Sequence, residues 1–230
     1  MKQLFVWAGA ALFVVSLSWF VVFYGILLGR PGTAAPAFSI FIALYDIALF
    51  SVFALHHSAM ARTPAKVWIT RLIPAELERS AYVWIASLLF LGVCWLWEPM
   101  PGIAWEASGI LMWPLRLVQL LGLWLTLRAA ASLDVLELAG VRQLGRKPRA
   151  VEFKADGPFG LIRHPIYLGW ILLVFGSPLM TMSRLVFAAI SSLYLIVAIP
   201  WEEQSLLETS GARYRAYQKQ VRWRLVPFVW

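Results

Sequence analysis

Arg163 and His164 stand side by side ahead of Pro165, where the polar run DGPFGLIRHPIYLGW (156–170) turns into an apolar segment. A guanidinium binds carboxylate or phosphate in a fixed fork, and an imidazole exchanges protons near neutral pH. Pro165 suits the first position of a helix, with His164 as its cap, and the backbone N–H groups of a helix start can hold an anion. Glu202-Glu203 offers the complementary chemistry, carboxylates for a cation or for hydroxyls. His56-His57 holds the only other histidines in the chain. Each feature also has a plainer reading. Arg163 serves as a topology anchor, His164 as a cap, Glu202-Glu203 as the acidic first turn of a surface helix, and His56-His57 as interfacial residues. Asp134 and Glu137, three apart, can simply partner Arg128 or Arg142.

The elements that position these residues follow from composition. Of 230 residues 61% are hydrophobic and 14% charged, with a mean hydropathy of +0.73, well outside the range of soluble domains. The chain is therefore expected to be an all-α, polytopic membrane helical bundle. Apolar runs predict about six transmembrane segments, at 4–28, 37–55, 80–97, 113–131, 165–177 and 184–199. The last two are short and are expected to form a hairpin, followed by a C-terminal cytosolic amphipathic helix over 200–224, bent at Gly211. The run from Leu4 to Leu28 exceeds the apolar core of a signal peptide and is expected to remain as a span. The protein is read as one compact domain, with an N-terminal bundle (1–131) on the substrate side and a C-terminal half (132–230) on the cofactor side.

Charge supports one orientation. With a cytoplasmic N-terminus, all but three (Arg30, Arg116, Arg184) of the 20 Lys and Arg fall on the inner face. The expected setting is a bacterial inner membrane with both termini cytoplasmic. The net charge of +8 is thus a topology signal, and no nucleic-acid partner is expected. In this arrangement His56, His57, Asp134, Glu137, Arg163, His164, Glu202 and Glu203 all lie at one membrane face, where ionisable groups point to a functional cavity. His164 and Glu202-Glu203 become neighbours, because spans five and six run antiparallel.

Several chemistries are disfavoured. Cys94 is the single cysteine and lies in an apolar run, which leaves neither a disulfide framework nor a thiolate metal site. Adjacent His56 and His57 are expected to point to different sides of a helix, and no His-x-x-x-His spacing occurs, so no metal is expected. Gly157-Pro158-Phe159-Gly160 matches neither dinucleotide nor P-loop fingerprints.

Gly157-Pro158-Phe159-x-x-x-Arg163-His164-Pro165-x-Tyr167-Leu168-Gly169, followed by Glu202-Glu203-x-x-Leu206 and Gly211-x-x-Tyr214-x-x-Tyr217, resembles a known signature. It is that of membrane methyltransferases related to isoprenylcysteine carboxyl methyltransferase and phospholipid N-methyltransferase. His57-Ser58-x-Met60-Ala61-Arg62, with Pro74-x-x-x-Glu78-Arg79-Ser80-x-Tyr82-Val83, resembles the bacterial methanethiol S-methyltransferases and the related NnrU-like proteins. The resemblance implies S-adenosylmethionine as methyl donor, with Arg163, His164, Pro165, Tyr167, Leu168, Gly169, Glu202 and Glu203 lining its pocket. It implies a small lipophilic thiol or lipid as acceptor. A base helps to generate a thiolate, and His57, at the same membrane face and of a residue type suited to proton exchange near neutral pH, is the candidate. Prenylcysteine enzymes carry basic residues just before the acidic pair; here Leu195–Trp201 has none, which favours a neutral thiol over a carboxylate. The alternatives are a lipid amine, a prenyl thiol or carboxylate as acceptor, or a non-enzymatic NnrU-like accessory role.

Overall fold

The computed structural model describes residues 1–31, 39–60, 62–143 and 155–230. The basic residues Arg146, Lys147, Arg149 and Lys154, and Ala61 of the second motif, lie outside them. Long apolar runs of Leu, Val, Ala and Phe close their backbone hydrogen bonds internally, as a bilayer requires. They form α1 (Lys2–Val22), which ends in a π turn at Phe23–Leu27, α2 (Ile40–Met60), α4 (Glu78–Leu96), α5 (Met112–Ala130) and α8 (Met182–Ser210). Shorter helices are α3 (Thr63–Ile69), α6 (Val135–Leu138), α7 (Pro165–Phe175) and α9 (Ala212–Gln220). Two short strands, Ile103–Glu106 and Leu179–Thr181, and 3₁₀ turns at Ala75–Leu77, Gly109–Leu111 and Gly157–Gly160 complete the described elements. The all-α membrane bundle expected from composition is what the chain forms. Among the described residues five helices are long and apolar enough to cross a membrane. The protein is an integral membrane protein.

The last expected pair of spans differs in length from the sequence reading. α7 has 11 residues, whereas α8 has 29 and continues through Pro200. One proline removes a single helical N–H and frees one carbonyl, a local cost that the flanking turns outlast. The expected amphipathic helix therefore begins inside α8. It turns at Gly211, whose φ of 49° lies in the region glycine favours, and resumes as α9.

The chain divides into two compact units. The first comprises Met1–Ala104, Val135–Pro148 and Met180–Ile190. In it α4 packs on α1 and on α2. Gly9 lets the Trp84 ring lie close to α1, and Trp84 Nε1 donates to the Phe5 carbonyl at 2.9 Å. Its core is aromatic: Phe187, fully buried, meets Phe20, Phe23, Tyr24, Phe50 and Trp97 at ring distances of 5.4–6.0 Å. Arg184, assigned to the outer side from the sequence, is buried against the π turn. Its Nε and a terminal nitrogen donate to the Tyr24 carbonyl at 3.2 and 3.0 Å, and the same nitrogen donates to the Gly25 carbonyl at 2.8 Å. Thr181 Oγ1 closes the same helix end by donating to the Leu28 carbonyl.

The second unit comprises Trp105–Asp134, Arg149–Leu179 and Ser191–Trp230. Here α5 and α7 cross in backbone contact at Gly122 and Gly169. A Cβ on Gly122 would lie 2.6 Å from the Gly169 carbonyl oxygen, and one on Gly169 would lie 2.8 Å from the Thr126 nitrogen. Small residues are how helices approach closely where lipid provides no hydrophobic drive. Gly169→Val should force the helices apart and cost about 1–3 kcal/mol, read as a lowered melting temperature in detergent. Unchanged melting would refute the close contact. Trp170 Nε1 donates to Ser191 Oγ at 3.0 Å, tying α7 to α8.

Candidate functional site

Two polar groups stand out, one in each unit. In the second unit a parallel bridge joins Ile162 to Trp223, and the Arg163 and His164 amides donate to the Trp223 and Arg224 carbonyls, both at 2.9 Å. That pairing fixes the backbone ahead of α7. His164 then caps α7, with Pro165 at its first turn, in the arrangement the sequence suggests. The Tyr167 and Leu168 amides both turn back to the His164 carbonyl, so the helix start closes largely on itself.

Glu203 is the hub of this group. Arg163 Nε donates to its Oε1 at 2.6 Å and a terminal nitrogen to its Oε2 at 3.3 Å. Arg224 Nε (3.1 Å) and Gln218 Nε2 (3.4 Å) also donate to Oε2, and His164 Nε2 lies 3.3 Å from Oε1. Arg163 and Glu203 side chains are only 7% and 4% exposed. The other terminal nitrogen of Arg163 donates to the Val221 and Arg222 carbonyls at 2.9 and 2.8 Å. Most of the guanidinium fork is therefore spent inside the protein, little of it being left for an external anion. Buried charges persist because they are paired and fully hydrogen-bonded.

Glu202 is different. Its side chain is 45% exposed, and one carboxylate oxygen accepts the Tyr167 phenol at 2.6 Å. The Tyr167 ring stacks on His164 with centroids 5.2 Å apart. His164 Nδ1 lies 3.7 Å from Glu202 and its Nε2 faces Glu203, so the imidazole bridges the acidic pair. Below, α9 buries Tyr214 and Tyr217 with Val221 against Ala155, Leu206 and Leu207. The Tyr217 phenol donates to the Phe159 carbonyl at 2.8 Å, and burial pushes its ionisation up to about 12. Leu168 is half-buried, Pro165 is buried, and Gly169 is used in the α5 contact. The sequence reading missed Arg224 and Gln218, whose only cue was their place in a basic, polar C-terminal segment.

In the first unit the Tyr82 hydroxyl lies 2.8 Å from His57 Nδ1 and 3.3 Å from His57 Nε2. His56 and His57 do not diverge as expected. Successive helical residues are about 100° apart, and both border the broad Tyr82 ring, with centroids at 6.1 and 5.5 Å. The Arg79 guanidinium lies over the same ring, 4.7 Å from its centroid. Ser80 Oγ, two residues earlier, donates to the Gly140 carbonyl at 2.8 Å.

The chain is similar over most of its length to several methyltransferases. It is 36% identical to the methanethiol S-methyltransferase of Crocosphaera subtropica over 195 residues, covering 81% of this chain and 75% of the relative. It is 33% identical to the methanethiol S-methyltransferase of Mycobacterium tuberculosis over 233 residues, covering 93% and 92%. A more distant similarity, 29% over 185 residues, connects it to nurim of Sus scrofa. No protein-family model matches the chain, and no solved structure is significantly similar to it.

Proposed function

The chain belongs to the methanethiol S-methyltransferase family of membrane methyltransferases, and from that premise we propose that it methylates methanethiol with S-adenosylmethionine, releasing dimethyl sulfide. The observation that carries the donor assignment is the half-exposed Glu202 carboxylate, held by the Tyr167 phenol beside a self-satisfied Arg163–Glu203–Arg224 group in which Arg163 and Glu203 are buried. S-Adenosylmethionine supplies an electrophilic methyl group on a sulfonium cation. Its ammonium group and ribose hydroxyls are donors, and the exposed carboxylate of Glu202 fits them. Glu203 has its oxygens engaged by its own chain, so of the two glutamates Glu202 is the ligand and Glu203 the support. Arg163, His164 and Pro165 set the backbone, Tyr167 orients Glu202, and Leu168 and Gly169 hold α7 in place. Most of the acceleration comes from alignment and from keeping water out, since methyl transfer is an in-line displacement. His57 takes the thiol proton.

The donor half is 132–230 and the acceptor half 1–131. Both termini are assigned to the cytoplasmic side of a bacterial inner membrane, a reading supported by the distribution of Lys and Arg. A small apolar thiol enters through the bilayer.

Purified protein given S-adenosylmethionine and methanethiol should release dimethyl sulfide into the headspace, measured by gas chromatography. No product from a folded protein that binds the donor would refute the acceptor assignment. Glu202→Ala should raise the donor's KM roughly ten- to a hundredfold, the worth of a hydrogen bond to a charged group, with thermal melting unchanged. A KM equal to wild type would sink the role of Glu202.

A further inference from the structure

Tyr82 is the point on which the first unit's polar side chains converge. It is 6% exposed, touches the rings of both His56 and His57, carries Arg79 over its face, and places its hydroxyl 2.8 Å from His57 Nδ1 and 3.3 Å from His57 Nε2. Phe53 packs on the other part of the His57 ring, at 5.5 Å. Among the described residues, the charged or titratable groups facing Tyr82 include Arg79 from its own helix α4 and His56 and His57 from α2.

A neutral imidazole carries one N–H and one bare nitrogen, and its hydrogen-bond partner decides which is which. A phenol can play either part. The Arg79 cation over the Tyr82 ring draws electron density from it and favours the phenol as donor. Of the two ring nitrogens near the hydroxyl, the closer one, Nδ1, then accepts, and the imidazole's own proton stays on Nε2. The basic lone pair of this histidine is the one covered by Tyr82, and a proton reaches it by way of the phenol.

Resting on the methyltransferase reading above, we propose that Tyr82 is the catalytic group through which His57 receives the acceptor's proton. The thiol proton passes to the phenol oxygen while the phenol proton passes to His57 Nδ1. The sulfur lone pair so exposed forms the new carbon–sulfur bond as the bond to the donor's sulfur breaks. The proton ends on His57 and the phenol is restored.

The test combines kinetics with a readout that needs no turnover. Tyr82→Phe should lower kcat/KM for methanethiol to the level of His57→Gln, a loss of about 10²–10⁴-fold, with donor binding and melting temperature unchanged. The double variant should be no slower than either single one, because both act on one proton path. Wild-type activity and pH profile in Tyr82→Phe, or losses that multiply in the double variant, overturn the proposal. With only three histidines, ¹⁵N-histidine spectra can be resolved. His57 should be protonated on Nε2, with a hydrogen-bonded Nδ1 resonance that moves in Tyr82→Phe. A wild-type His57 protonated on Nδ1 overturns the proposal even where no thiol is turned over. A protein with the expected spectra but no thioether product fails on the acceptor, which the headspace assay detects separately.

Discussion

Replacing Glu203 by Ala should release the C-terminal segment and abolish donor binding. The carboxylate accepts from Arg163, Arg224 and Gln218 and lies against His164. Its removal leaves the buried Arg163 guanidinium without its counter-ion and loosens the pairing that holds residues 221–224. Breaking a buried ion pair from one side costs about 3–5 kcal/mol, a large share of the 5–15 kcal/mol by which a domain is stable. Limited trypsin digestion reads the effect directly. Arg213, Arg215, Lys219 and Arg222 are exposed but sit on folded backbone, so they should become rapid cleavage sites only in the variant. Glu203→Gln should be intermediate, since it keeps an acceptor but not the charge. A variant that resists trypsin and melts like wild type would show that the hub is dispensable.

His57→Gln should lower kcat/KM by about 10²–10⁴-fold and leave donor affinity and melting temperature unchanged. A simple thiol ionises only near or above pH 8.5, so at neutral pH the thiolate is scarce without a base. The sign with pH follows. The wild-type rate falls as pH drops and His57 takes up a proton of its own. The variant rate follows the free thiolate, rising about tenfold per pH unit until the thiol is ionised. The gap between the two should therefore narrow at alkaline pH. A variant with the wild-type rate and profile would remove His57 from the mechanism.

The helices were legible in the sequence because a bilayer imposes one rule along the chain, long apolar runs with charged ends, and hydropathy measures that rule. The pairing of His164 with Glu202-Glu203 was legible through antiparallel succession of the last two apolar segments. What escaped the sequence depends on side chains that meet without any period. Arg184 reads as a flanking cation, yet it turns inward because a π turn leaves carbonyls facing it. Arg163 reads as an anion ligand, yet its fork is filled by Glu203 and the Val221 and Arg222 carbonyls. Tyr82 stands in the second motif with no role attached to it, and only the approach of α2 to α4 sets it beside two histidines. Gly169 stood in a motif that suggested a pocket, while its immediate neighbours are Thr126 and Gly122 of another helix.

The inward turn of Arg184 bears on the order in which the chain assembles. The carbonyls it satisfies, at Tyr24 and Gly25, belong to the end of α1, which is made well before α8. The guanidinium arrives some 160 residues later. During synthesis the end of the first helix must wait with those acceptors facing lipid headgroups or water. A nascent chain halted before residue 180 should hold α1 at variable depth, whereas one extended past residue 190 should lock it. α8 thus acts as a latch on α1, and quality control that samples the unlatched state would recognise chains truncated before α8 by a loose α1.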